Sequence, residues 1–220
     1  MNIITPTADN SNTLFNEAIG ENYHSKHGAL QESKHVFIDA GLKFATEDQT
    51  SISILEVGFG TGLNFILSSA YCAEKNIRLD YTALEPHRLD KELLLDLGYR
   101  QYVPDIIWDE FINKYELALS TKTELSTQCY LHIIQDNLQD FKTSAQYDLV
   151  YFDAFSVRHQ PELWTTDVIE KSCSLIRKGG VFVTYAITGH LKRTVRDAGF
   201  EVQKLKGAPG KREMLRAIKL

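Results

Sequence analysis

The stretch Ser51–Lys75 reads SISILEVGFGTGLNFILSSAYCAEK, and its three parts decide the fold. Ser51–Gly58 (SISILEVG) is dense in branched apolar residues, as a strand covered on both faces requires. Gly58, Gly60 and Gly62 then fall at alternate positions, and Leu63–Lys75 continues with the apolar spacing of a helix. Glycine lets a backbone turn sharply and approach a ligand closely, because no Cβ stands in the way. The first turn of the following helix offers N–H groups that have no partner of their own. Strand, glycine loop and helix in this order make a cradle for a nucleotide-derived ligand; a tight turn of purely structural meaning is the other reading of the glycines alone. The dinucleotide pattern G-x-G-x-x-G needs its last glycine three positions after the second, where this chain has Leu63. That departure speaks against NAD or FAD.

The same alternation repeats toward the C-terminus. Leu79–Leu84 (LDYTAL), Cys129–Gln135 (CYLHIIQ), Tyr147–Phe152 (YDLVYF) and Gly180–Ile187 (GVFVTYAI) read as strands. Helices are expected over Leu89–Leu97, over Pro104–Leu119 with Ile107, Phe111, Tyr115 and Leu119 on one face, and over Glu162–Ile176, stopping at the Gly179–Gly180 pair. A short helix over Leu191–Ala198 precedes two closing strands, Phe200–Leu205 and Glu213–Ile218. Strands separated by helices pair in parallel. The last two, joined only by a loop with Gly207, Pro209 and Gly210, should pair antiparallel. The expectation is therefore an α/β fold: a mostly parallel sheet with helices on both faces, ending in an antiparallel C-terminal hairpin. It resembles the Rossmann-like architecture of class I methyltransferases. We expect one domain over residues 1–220, with a core at 51–220 that carries a helical insertion near 98–126. Residues 1–50 form an N-terminal extension, including the apolar helical stretch Val36–Phe44, that folds over the C-terminal edge of the sheet and the cofactor site.

Carboxylates recur where such a sheet binds ligands. Glu56 lies two residues before Gly58, and in class I methyltransferases an E/D-x-G-x-G-x-G pattern holds S-adenosylmethionine, whose cationic amino-acid end and sulfonium suit a carboxylate. Glu85 ends the next strand, 23 residues after Gly62, where an acidic side chain meets ribose hydroxyls. Asp136 follows the third strand, at the expected edge of the adenine. Each alone reads equally as a surface carboxylate; three at successive strand ends point to one crevice. The fourth strand runs out into Asp153 and Phe155. A carboxylate there can hold an amine, orient its lone pair and accept its proton, and the ring can stack on a base. Read structurally, Asp153 would cap the strand and Phe155 would pack in the core.

Composition bounds the rest. With 220 residues, 43% hydrophobic and 24% charged, the chain is globular rather than disordered or collagen-like. Cys72, Cys129 and Cys173 are scattered and odd in number, the usage of a reducing cytoplasm. No signal peptide or membrane-length apolar run is visible, so a cytoplasmic protein without membrane association is expected. The net charge is −5, yet residues 177–220 hold 11 Lys and Arg against 3 Asp and Glu. An anionic partner meeting that region and a merely solvated basic edge both fit. His24, His27 and His35 have no accompanying cysteine, and no metal is expected. Ser68–Ser69 forms no nucleophile elbow, which excludes the common hydrolase pattern.

The sequence resembles the methyltransferase domain of the tRNA-modifying MnmC family nearly end to end. The carrying blocks are TPTADNSNTL from Thr5, YHSKHGALQES from Tyr23, EVGFGTGLN from Glu56, YTALEP from Tyr81, YFDAF from Tyr151, QPELW from Gln160 and PGKREMLRA from Pro209. The resemblance implies S-adenosylmethionine-dependent N-methylation of the exocyclic amine of 5-aminomethyl-(2-thio)uridine at the tRNA wobble position. It implies Asp153 at the reacting amine and Glu56, Gly58, Gly60, Gly62, Asn64, Glu85 and Asp136 around the cofactor, with Tyr23 and Ser25 in a loop over it. The family's two-domain members add an FAD oxidoreductase; the expectation here is the stand-alone form, a monomer using neither FAD nor a metal. Phe155 would receive the base, and Arg193, Arg196, Lys211 and Arg212 would meet the phosphates of an anticodon stem-loop. Two other readings stay open: a class I methyltransferase of a small-molecule amine, and a non-catalytic RNA-binding module on the same fold.

Overall fold

The computed structural model describes residues 1–220. The glycine-loop strand, β4 (Ser51–Val57), sits in the middle of an eight-stranded sheet. It pairs in parallel with β5 (Arg78–Leu84) on one side and β8 (Tyr147–Phe152) on the other. Parallel pairing continues outward from β5 to β7 (Cys129–Ile134) and from β8 to β9 (Ile176–Thr184). Beyond β9 lie β11 (Glu213–Lys219) and then β10 (Phe200–Lys206), both antiparallel, as the helix-free connection between them requires. The chain leaves β4 toward β5 and later returns on its other side to β8, so the strand order reverses at β4. Ligands of open α/β sheets bind at the carboxyl ends of the strands beside such a reversal.

Each face of the sheet is sealed by its own apolar cluster. One includes Phe37, Phe65 and Phe111, under α3 (Leu63–Lys75) and α5 (Asp105–Ala118). The other includes Phe152, Trp164 and Val195, under α6 (Thr166–Ser174) and α7 (Gly189–Asp197). The N-terminal helix packs on the first face. It begins as α1 (Ala29–Ser33), continues as a π-helical stretch over Lys34–Leu42 and ends as α2 (Lys43–Ala45). A small three-stranded antiparallel sheet precedes it: β1 (Asn2–Pro6), β2 (Asn12–Asn16) and β3 (Glu21–Asn22).

Three expectations change. Glu162–Ile176 is not one helix: Pro161–Trp164 is a 3₁₀ turn, Thr165 is extended, and only α6 is helical. Trp164 Nε1 donates to the Phe155 carbonyl at 2.8 Å, so this break ties the turn to the loop that carries Asp153 and Phe155. The Gly179–Gly180 pair lies inside β9, opposite a register irregularity of β8, instead of ending a helix. A Cβ on Gly180 would stand 2.9 Å from the Asp148 carbonyl, so the irregular strand needs glycine there. The insertion near 98–126 is not wholly helical. It follows α4 (Lys91–Asp96) and contains α5, but ends in an edge strand, β6 (Thr123–Ser126), antiparallel to β7.

Candidate active site

The glycine loop adopts a backbone that other residues resist. Gly58, Gly60 and Gly62 have φ of +90°, +51° and +74°. A Cβ on Gly60 would lie 2.8 Å from the Tyr23 ring, so the N-terminal segment packs directly on the loop. The Gly60 N–H donates to Glu85 Oε2 and the His87 N–H to Oε1, each at 2.9 Å. Glu85 thereby braces two turns at the end of β5. Burial raises its proton affinity, and those two N–H bonds oppose the rise.

Behind the loop two carboxylates share one amide. Asn64, in the first turn of α3, donates through Nδ2 to Glu56 Oε1 at 2.9 Å and to Asp153 Oδ2 at 2.8 Å. Two facing acceptors fix which end of the amide carries the donor. The other end, Asn64 Oδ1, is buried without a partner. Tyr81 from β5 donates to Glu56 Oε2 at 2.8 Å and completes that carboxylate's surroundings. Burial, reinforced by Asp153, raises the pKa of Glu56 well above the usual carboxylate range. Asp153 is pushed up to about 8, chiefly by burial and then by Glu32, with Asn64 and Lys211 pulling the other way. Perturbed carboxylates gathered in a cleft mark functional sites more often than chance.

Two cavities meet here. The first is lined by Gly58, Gly60, Asn64, Glu85, Asp136 and Asp153 among others. Glu56 stands behind Asn64 and does not line it, and Gly62 turns its Cα toward Phe59 and Phe111. The second cavity, about 550 Å³, is lined by Glu21, Ser25, Glu32, Tyr185 and Lys211 among others. Tyr23, His24, Ala154 and Phe155 line both. The Tyr23 and Phe155 rings meet edge to face at 5.0 Å, forming the sill between the cavities.

The structure thus gathers most of the expected residues and separates others. Ser25 faces the second cavity; its N–H donates to Glu32 Oε2 at 2.7 Å, and its Oγ accepts the His27 N–H. Lys211 parts from the other basic residues. Its ammonium turns inward to Glu32 Oε1 at 2.7 Å and over the Tyr185 ring at 3.4 Å, so it is not a free phosphate contact. Arg193, Arg196 and Arg212 are exposed and form no ion pair. His24 is buried between Thr13 and Thr61, His35 contacts the Lys206 carbonyl, and no group of three or more His, Cys, Asp or Glu side chains is arranged to hold a metal. Sequence reasoning missed Glu32 and Tyr185. Glu32 stands inside the block that starts at Tyr23, and that block was the available signal.

Known proteins agree with this geometry. A family profile described as S-adenosyl-L-methionine-dependent methyltransferase matches residues 103–220. The tRNA 5-methylaminomethyl-2-thiouridine biosynthesis bifunctional protein MnmC of Ralstonia nicotianae is 28% identical over 96% of this chain and 34% of its own length. The MnmC of Chromohalobacter salexigens is 30% identical over 94% of this chain and 31% of its own. The chain spans about a third of the length of these curated relatives. The crystal structure of MnmC2 from Aquifex aeolicus superposes with a TM-score of 0.79 at 26% identity, covering 99% of this chain and 70% of that one. No helix is long and apolar enough to cross a membrane. With its sheet order, its glycine cradle and the profile match over more than half of its length, the chain belongs to the S-adenosyl-L-methionine-dependent methyltransferase family.

Proposed function

We propose that this protein methylates the exocyclic amine of 5-aminomethyl-(2-thio)uridine at the tRNA wobble position, giving the 5-methylaminomethyl nucleoside. The observation that carries this reading is the junction of the two cavities at Ala154–Phe155, next to Asp153, which lets one ligand reach another beside a carboxylate of raised proton affinity. The similarity to MnmC over nearly the whole chain supports this choice of substrate.

The site's residues fit the cofactor. The unpartnered Asn64 Oδ1 is an acceptor waiting for a cationic N–H group, and Glu85 keeps lone pairs for ribose hydroxyls beyond its two backbone bonds. Gly58 and Gly60 would carry the cofactor's flank on bare backbone, and Asp136 with Leu138 would meet the adenine. When bound, the cofactor supplies an electrophilic methyl group on a sulfonium.

The chain's own residues do the rest. A primary alkylamine reaches the site largely as an ammonium, which has no lone pair to donate. Asp153, ionised, takes one of its protons and holds the freed nitrogen in line with the methyl carbon. The freed lone pair is what Asp153 would secure; the bound cofactor would supply the methyl carbon, and its sulfur would keep the electron pair of the broken bond. The methylated ammonium keeps its charge, and Asp153 returns its proton to solvent. Phe155, with Tyr23 braced against it, offers the face on which a splayed uridine stacks. Arg193, Arg196 and Arg212 supply phosphate contacts. We place the protein in the cytoplasm with its tRNA, acting as a monomer. Nucleoside analysis of tRNA from cells with and without the gene tests the assignment: loss of the methylaminomethyl nucleoside with accumulation of its aminomethyl precursor is the expected outcome. An unchanged nucleoside profile would shift the assignment to a small-molecule amine.

A further inference from the structure

Asp153 lines the first cavity, while Glu32 and Lys211 line the second on the far side of Ala154 and Phe155, which line both. Lys211 is held there firmly. It sits in the turn between β10 and β11, where its N–H donates to the Ala208 carbonyl at 2.8 Å and the Gly207 N–H donates to the Arg212 carbonyl at 3.2 Å. A Cβ on Gly207 would lie 2.5 Å from the Lys211 carbonyl oxygen, so the turn closes only with glycine. The His27 ring lies against Gly210. From this turn the ammonium reaches Glu32 across the chain, and the Glu32 carboxylate is only 7% exposed. Its second oxygen is fixed by the Ser25 N–H. The ammonium also lies over Tyr185, whose hydroxyl donates to the Ala154 carbonyl at 2.9 Å. Ala154 follows Asp153 directly, so the ion pair is coupled to the Asp153 backbone through one aromatic ring.

We propose that Glu32 and Lys211 are positioning residues that set how strongly Asp153 holds a proton, and with it the pH range in which Asp153 can act as a base. The proposal rests on the reading of Asp153 as that base. Glu32 raises the proton affinity of Asp153 and Lys211 lowers it. Glu56 from β4, Tyr81 from β5 and Tyr185 after β9 also face Asp153 and favour the uncharged form because burial raises their pKa values, and the cavity wall that includes Asp153 also holds His24, Glu85, His87 and Asp136. Glu32 and Lys211 are the two groups of opposite sign that tune the site. With the pair intact Lys211 offsets part of the Glu32 effect; breaking it from either side removes that offset.

The test reads Asp153 directly, by carbon NMR of the full chain labelled at aspartate carboxyls, with the signal assigned by its loss in Asp153→Asn. Lys211→Met should raise the titration midpoint by about one unit and Glu32→Gln should lower it by about one unit. Lys211→Arg should stay near wild type, and the double variant Glu32→Gln/Lys211→Met should fall between the two single variants. The acidic limb of kcat/KM should move with the midpoint. Midpoints that do not move in the single variants, or that move in the same direction, overturn the proposal. If Lys211→Met does not fold, Glu32→Gln decides alone: a midpoint that stays or rises overturns it. Should Asp153→Asn keep full methyl transfer while the midpoints shift as stated, the base assignment falls and the electrostatic coupling stands.

Discussion

Glu56 and Asp153 reach one another through the single amide nitrogen of Asn64, at 2.9 Å and 2.8 Å. The first carboxylate belongs to the glycine-loop strand and the second to the strand beside it, so the bridge fastens the cofactor side of the cleft to the reacting side. Tyr81 and Asn64 surround Glu56 so fully that it shapes the site from behind. Asp153, partly exposed on the cleft wall, is left to do the proton chemistry.

Asp153→Asn keeps the shape and can still meet Asn64 through its carbonyl, but it cannot accept a proton. We expect kcat for methyl transfer to tRNA to fall by about 10²–10⁴-fold, the usual worth of a positioned general base. Cofactor affinity, measured by calorimetry, should change far less.

Because the pKa of Asp153 lies near 8, the residue is mainly protonated at neutral pH when the site is empty of cations. A sulfonium beside it favours the ionised form. Binding of S-adenosylmethionine at pH 7 should therefore release protons, while S-adenosylhomocysteine, with its neutral sulfur, should release fewer. Calorimetry in buffers of different ionisation enthalpy reads the difference. The same shift has a sign for stability: the folded state holds this proton more tightly than the unfolded chain, so the Asp153 contribution is fully favourable below the unfolded pKa, near 4, and is lost as pH rises through about 8. Asp153→Asn should melt higher than wild type at pH 9 and lose that advantage as pH approaches 4.

Gly60→Ala places a methyl against the Tyr23 ring at a φ of +51°. The conformation alone costs about 1–2 kcal/mol. Displacement of Tyr23 should weaken cofactor binding and, through Phe155, tRNA turnover. Gly60→Ala/Tyr23→Ala should recover part of the stability without recovering turnover, since the ring that braces Phe155 is gone.

Charge reversal separates surface from site. Arg193→Glu, Arg196→Glu and Arg212→Glu should each weaken tRNA binding and lower the slope of log affinity against log salt by about 0.7–0.9 for each phosphate left unneutralised. Cofactor affinity should hold. Filter binding across a salt series checks both.

Much of this architecture is legible in the sequence, because strongly periodic segments bounded by glycine leave few alternatives. The strand–loop–helix at Ser51–Lys75, the parallel strands and the antiparallel ending all follow from local pattern. What the pattern hides is set by distant neighbours. The break at Thr165 follows from Trp164 reaching the Phe155 carbonyl, and the glycine pair at 179–180 serves a strand irregularity whose partner, Asp148, lies far earlier in the chain, between Tyr147 and Leu149. The N-terminal strands are short and half-exposed, with no alternation to betray them. In the site, carboxylates at strand ends are readable from spacing. The inward turn of Lys211 is not: its partner Glu32 is 179 residues away, and a lysine in a basic tail looks like its neighbours until the fold closes.

The most direct measurement is transfer of labelled methyl from S-adenosylmethionine by the purified protein to tRNA from cells that lack it, with the product nucleoside identified by mass. A wobble-uridine methyltransferase predicts label in 5-methylaminomethyl-(2-thio)uridine, little label in tRNA from cells that contain the protein, and loss of transfer in Asp153→Asn. Label on another nucleoside, or none at all despite measurable cofactor binding, would contradict that assignment.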